Sequence, residues 1–185
     1  MFWLMLIMGV VLWAAAHLFK RVLPRQRAAL GKAGKAGVAV ALVIALVLMV
    51  AGYRGIDAEP LYALPFEAWQ VNNLLMVVAL VLADVGRVPG VIRTKLRHPM
   101  LTGVAVWAVA HLLVNGDAPS LVLFGGLGIW ALVEMAVISR AEGPWQRPER
   151  GSWARDARVL AVALVLYAII VLIHAWLGRT VFVLF

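Results

Sequence analysis

The chain carries four histidines, His17, His98, His111 and His174, and no cysteine. The missing cysteines exclude disulfides, thiolate metal ligands, iron–sulfur clusters and a cysteine nucleophile together. A metal must then be held by His, Asp, Glu or Met. All four histidines fall within or at the ends of apolar stretches. An ionisable side chain at such a place marks either a functional site or a hydrogen bond between helices. Trp13 stands four residues before His17 and Trp107 four before His111, so each pair shares a helix face. A closed zinc site requires three or four converging ligands. Haem requires one or two axial imidazoles and an apolar pocket, and imidazoles beside tryptophans in apolar sequence suit haem better. Met76 and Met100 are further axial candidates, although methionine more commonly fills gaps.

The elements that position these residues follow from composition. Hydrophobic residues make up 64% of the 185 positions and charged residues 14%, whereas a soluble domain lies near ~45–50% apolar. A soluble enzyme, a disordered tail and a disulfide scaffold are excluded. With ~20 apolar residues per span, the chain stocks about six membrane helices. The apolar runs place them at about Phe2–Phe19, Ala36–Tyr53, Glu67–Val85, Pro99–Val114, Ser120–Ser139 and Asp156–Leu177. The expected fold is all-α, a polytopic integral membrane bundle of about six transmembrane helices. No soluble domain has room to fold between them, so 1–185 reads as one transmembrane domain.

The formal charge of +8 would suggest nucleic acid in a soluble protein, but here topology explains it and no nucleic-acid partner is expected. Fifteen of the seventeen Lys and Arg residues lie in the first, third and fifth loops, leaving Arg54 and Arg179 on the other side. The positive-inside rule puts those three loops in the cytoplasm and both termini outside, in the periplasm of a bacterial cell. The first helix lacks a basic leader segment and reads as retained rather than cleaved, although Ala14-Ala15-Ala16 would fit a cleavage site. Glu134 falls inside the fifth helix and needs a partner or water. By depth, His111 lies roughly 18 Å and His174 about 27 Å along their helices from the cytoplasmic side. Depth alone thus pairs His17 with His98, and His111 with His174.

The stretch Arg97-His98-Pro99-Met100-Leu101-Thr102-Gly103, continuing through Trp107, Ala110-His111-Leu112-Leu113 and Asn115-Gly116-Asp117, resembles the NnrU family. Leu123-Phe124-Gly125-Gly126, Trp130-Ala131-Leu132-Val133-Glu134, His17 and Gly52-Tyr53-Arg54 extend the resemblance over most of the chain. NnrU proteins are similar to the 15-cis-ζ-carotene isomerase of plants and cyanobacteria, which uses haem b for a redox-neutral isomerisation. The resemblance implies haem b here, with axial ligands at His17 and His111 and the C-terminal-helix histidine at His174. It also implies a link to denitrification and nitric oxide metabolism. Where the isomerase has a cysteine three residues before its second ligand, this chain has Ala108. Where it has a histidine early in the third helix, this chain has Asn72.

If the chain is an enzyme, the resemblance implies a haem-dependent cis–trans isomerase acting on a hydrophobic polyene; nitric oxide is the other ligand it implies. His98 reads as an element of the fourth helix's start, with Pro99 suited to its first turn. Its imidazole could reach a haem propionate or the phosphate of a membrane lipid. Arg97 and Arg93 are the guanidinium partners for a propionate, and Trp107 lines the His111 side. An Arg-His-Pro segment followed by glycine also resembles membrane methyltransferases that bind S-adenosylmethionine. Those usually carry a tyrosine between Pro and Gly, where this chain has Met100, Leu101 and Thr102. A third reading is a non-catalytic assembly factor for a respiratory enzyme. Sequence leaves the oligomeric state open.

Overall fold

A computed structural model gives the fold of residues 1–178, so Arg179 lies outside the described residues. Among these, seven helices account for nearly all regular structure: α1 (Phe2–Val22), α2 (Pro24–Ala29), α3 (Gly31–Gly55), α4 (Glu67–Val85), α5 (Pro99–Val114), α6 (Ala118–Glu142) and α7 (Trp153–Trp176). Five of them, α1, α3, α4, α6 and α7, are long and apolar enough to cross a membrane, and α5 is a sixth apolar helix of 16 residues. The chain is an all-α membrane protein.

Helix limits differ from the apolar runs for local reasons. The first basic loop is largely helical, because Arg-Gln-Arg-Ala-Ala is a run of good helix formers behind Pro24 in the first turn. α6 begins at Ala118 rather than Ser120, since Asp117 caps it by accepting a bond from Ser120 N at 2.7 Å. It runs on past Ser139 until Gly143, whose φ of 71° ends it. α7 starts at Trp153, three residues before Asp156. Within α6, Leu121–Gly125 forms a π-helical stretch, a local widening of a helix common at functional sites.

The chain forms two compact units, one of Met1–Tyr62 with Gly116–Gly143, the other of Ala63–Asn115 with Pro144 onward. In the first, α1 and α3 pack antiparallel through small residues. Gly9 lies against Ala45 and Met49, and Gly52 against Leu6. A Cβ on Gly52 would sit 2.5 Å from Leu6 N, so only glycine lets the two backbones approach this closely. α6 adds to α1 with Gly126 against Val10. The connection after α3 is tied to the one before α6 by Leu61 N–H donating to Gly116 O at 2.7 Å.

In the second unit α4 packs on α5 and α7. Leu82, Val85 and Val159 form its buried core, with Val81, Val88, Ile92, Leu96 and Val106 around them. Gly103 of α5 meets α4 directly: a Cβ there would lie 2.8 Å from Ala79 O. Backbone oxygen cannot move aside as a flexible side chain could. Gly103→Leu should therefore destabilise the protein by about 1–3 kcal/mol. The check is the unfolding midpoint in detergent, against Met100→Leu at an exposed site on the same helix.

Candidate functional site

The histidines are built into their helices in one way. His17 Nδ1–H donates to Trp13 O at 3.0 Å, His111 Nδ1–H to Trp107 O at 2.9 Å, and His174 Nδ1–H to Ile170 O at 2.8 Å. A carbonyl only accepts, so the proton in each bond belongs to Nδ1. A neutral imidazole so held carries its lone pair on Nε2. Fixing one ring nitrogen by a backbone carbonyl while the other keeps its lone pair is how ligand histidines are commonly prepared.

In the first unit His17 lies between two indoles, with ring centroids 4.6 Å from Trp13 and 4.6 Å from Trp130 of α6. Trp13 and Trp130 meet edge to face at 5.7 Å. Glu134, one turn beyond Trp130, is buried. Its Oε2 and the indole Nε1–H groups of Trp13 and Trp130 are buried without a protein hydrogen-bond partner among the described residues. One further turn along α1, Arg21 pairs with Glu142 of α6 at 2.9 Å. Elsewhere in this unit Tyr53 and the fully buried Ser120 share a hydroxyl bond of 2.8 Å beside the π-helical stretch.

In the second unit Trp107 covers His111, with centroids 4.7 Å apart. Asn115 Nδ2–H donates to His111 O at 2.8 Å and closes the end of α5. His98 is the N-cap residue of α5 with Pro99 in the first turn, and its carbonyl accepts Thr102 N–H and Thr102 Oγ1–H, both at 2.9 Å. Arg97 precedes it, half-buried. Among the described residues no three His, Asp or Glu side chains are grouped to hold a metal ion.

The family model described as NnrU protein matches residues 5–181. The chain belongs to the NnrU family. No curated protein and no solved structure matches it.

Asp156, which the sequence marks only as the start of a helix, is buried in the second unit and organises the loop that carries Arg93 and Arg97. Its Oδ2 accepts Val91 N–H at 2.6 Å and Ile92 N–H at 3.3 Å. Its carboxylate packs against Gly90, where a side chain would collide with it. Gly151 N–H donates to Gly90 O at 3.0 Å, Arg93 Nη2–H to Glu149 O at 3.2 Å and Arg155 Nη1–H to Pro89 O at 3.2 Å. These partners are 56 to 66 residues apart in sequence, so no local motif announces them. The one local hint is the pair of glycines, Gly90 and Gly151, at points of close approach.

Two results are expected. Removing a buried acceptor of two N–H groups costs about 1–3 kcal/mol, so Asp156→Ala should free the Gly86–His98 loop. Limited trypsin digestion of the detergent-solubilised protein should then cut at Arg93 or Arg97 several-fold faster, while Asp156→Asn, which keeps an acceptor, should retain most of the protection. Selective ¹⁵N-histidine spectra of the protein without added ligand should show the Nδ1–H tautomer at His17, His111 and His174. Nε2–H forms there would show that the backbone bonds do not set the imidazoles.

Proposed function

We propose that this NnrU protein binds haem b in the bacterial cytoplasmic membrane, with His17 and His111 as axial ligands. The observation that carries the reading is the shared Nδ1–H bond to the preceding turn. It leaves an Nε2 lone pair on each of three imidazoles in apolar helices. The donor set fits: neutral nitrogen ligands, aromatic rings beside them, and no competing thiolate. The His17–His111 pair itself comes from the family resemblance, with His174, which depth along the helices pairs with His111, as the alternative partner. Arg97, Arg93 and His98, on the basic side, are the groups for haem propionates or for lipid phosphate.

When bound, haem supplies an iron centre that exchanges an axial ligand or an electron. The chain's own part is to hold the imidazoles. Trp13 and Trp130 flank His17, and Trp107 covers His111, so each imidazole has restricted rotation as well as a fixed tautomer. The family's tie to denitrification makes nitric oxide one ligand for such a site. A hydrophobic polyene undergoing redox-neutral cis–trans isomerisation is the other.

The orientation we propose has both termini in the periplasm and the basic loops in the cytoplasm. Within each unit the contacts support it. Arg21 and Glu142 join the ends of α1 and α6 at the basic side, and the α4–α5 loop is bonded to the segment before α7.

The test is the absorption spectrum of the detergent-purified protein, oxidised and reduced, before and after adding haemin. A Soret band with sharp reduced α and β bands is expected. His17→Ala and His111→Ala should each abolish or shift it, and His98→Ala should leave it in place. Loss on His174→Ala but not on His17→Ala would move the ligand pair to His111 and His174. A protein that stays colourless with added haemin would overturn the haem reading.

A further inference from the structure

The interface of α1 and α6 in the first unit holds more polar chemistry than a histidine ligand requires. The two helices run parallel: Val10 meets Gly126, Trp13 and His17 meet Trp130, and Arg21 meets Glu142. Trp13, His17 and Arg21 recur every four residues and so line one face of α1. Trp130 and Glu134 stand in the same relation on α6. Glu134 therefore lies between the indole layer and the Arg21–Glu142 pair, at about the level of His17.

The polar atoms of this seam do not satisfy one another. Among the described residues, the Trp13 and Trp130 indoles each have an N–H without an acceptor, and Glu134 has an oxygen without a donor. Only 7% of Glu134 and 6% of Trp130 is exposed. A species that accepts two N–H bonds and gives an O–H to a carboxylate answers the set. Water does this with its ordinary valence. An anion would meet the indoles and be repelled by Glu134, and a metal cation would meet Glu134 and be repelled by the indole N–H groups. The Arg21–Glu142 pair gives the seam a polar end, with 26% and 49% of the two side chains exposed.

We propose that α1 and α6 enclose a hydrated seam that admits water from the basic-loop side to the level of Trp13 and Trp130, with His17 and Glu134 inside it. Its role is to bring water, and with it protons, to membrane depth beside His17. The inference does not rest on haem binding, because its observations are the unmatched donors and acceptor and the polar end.

The test uses the natural absence of cysteine. Single variants Glu134→Cys, Arg140→Cys, Ile129→Cys and Leu132→Cys are placed in the full chain in vesicles of known orientation. Each is treated from either side with a small, charged, membrane-impermeant methanethiosulfonate. Only an ionised, hydrated thiolate reacts, so Glu134→Cys should react at least about tenfold faster than the lipid-facing Ile129→Cys and Leu132→Cys. It should do so from the side on which Arg140→Cys reacts. Reaction no faster than Ile129→Cys, or only from the opposite side, overturns the proposal. Should Glu134→Cys fail to fold, the unaltered chain decides through ¹⁵N-indole spectra, assigned with Trp13→Phe and Trp130→Phe. Exchange of both indole N–H groups with water supports the seam, and protection of both or either from exchange refutes it.

Discussion

A polar group carried into hydrocarbon must be satisfied by the chain or by what the chain binds, and this protein places few such groups there. Three histidines meet the demand alike, by donating Nδ1–H to the carbonyl four residues earlier. That carbonyl already serves the helix, and its second lone pair takes the imidazole proton. The side chain needs no partner from another helix, and the bond holds the ring against the preceding turn. At His17 and His111 that turn presents an indole. One local bond thus sets the tautomer, the direction of the ring and its aromatic contact.

The remaining architecture serves close approach. Membrane helices gain little from burying apolar side chains, since lipid is as apolar as leucine, so they associate through packing and backbone proximity. Gly52 against Leu6 and Gly103 against Ala79 are points where one helix meets the backbone of another, one in each unit. A residue with no Cβ lets α1 lie on α3 and α5 lie on α4. His17 rides on α1 and His111 on α5, the helices whose positions these contacts fix.

Much of this is legible in the sequence. The apolar runs locate the long helices, and the four-residue spacing of Trp13 with His17 and Trp107 with His111 foretells shared faces. Pro99 foretells the start of α5. What local pattern cannot show is a partner distant in sequence. Trp130 closing over His17 depends on how α6 packs on α1. Asp156 depends on the backbone of Val91 and Ile92, 65 and 64 residues away. The π-helical stretch at Leu121–Gly125 leaves no compositional trace, because a widened turn uses the same apolar residues as a regular one. The basic loop hides α2, since its charges mark topology and its helix formers pass unnoticed beside them.

Two buried carboxylates show why the surroundings, not the residue type, decide what a polar group does. Asp156 stands near the polar end of α7 and has two backbone N–H donors, which suit a carboxylate and hold a loop. Its second oxygen, also without a hydrogen bond, packs against Gly90. That carboxylate is consumed by architecture. Glu134 sits in a long apolar helix, and among the described residues no protein donor meets its Oε2. Leucine at that place would pack against α1 at no electrostatic cost, so packing alone gives no reason for a carboxyl there. The neighbouring indoles sharpen the contrast, because phenylalanine at Trp13 and Trp130 would supply aromatic surface without two orphaned N–H groups. A donor–donor–acceptor set in a helix interface that a purely apolar set could fill is therefore better understood as serving something that enters it.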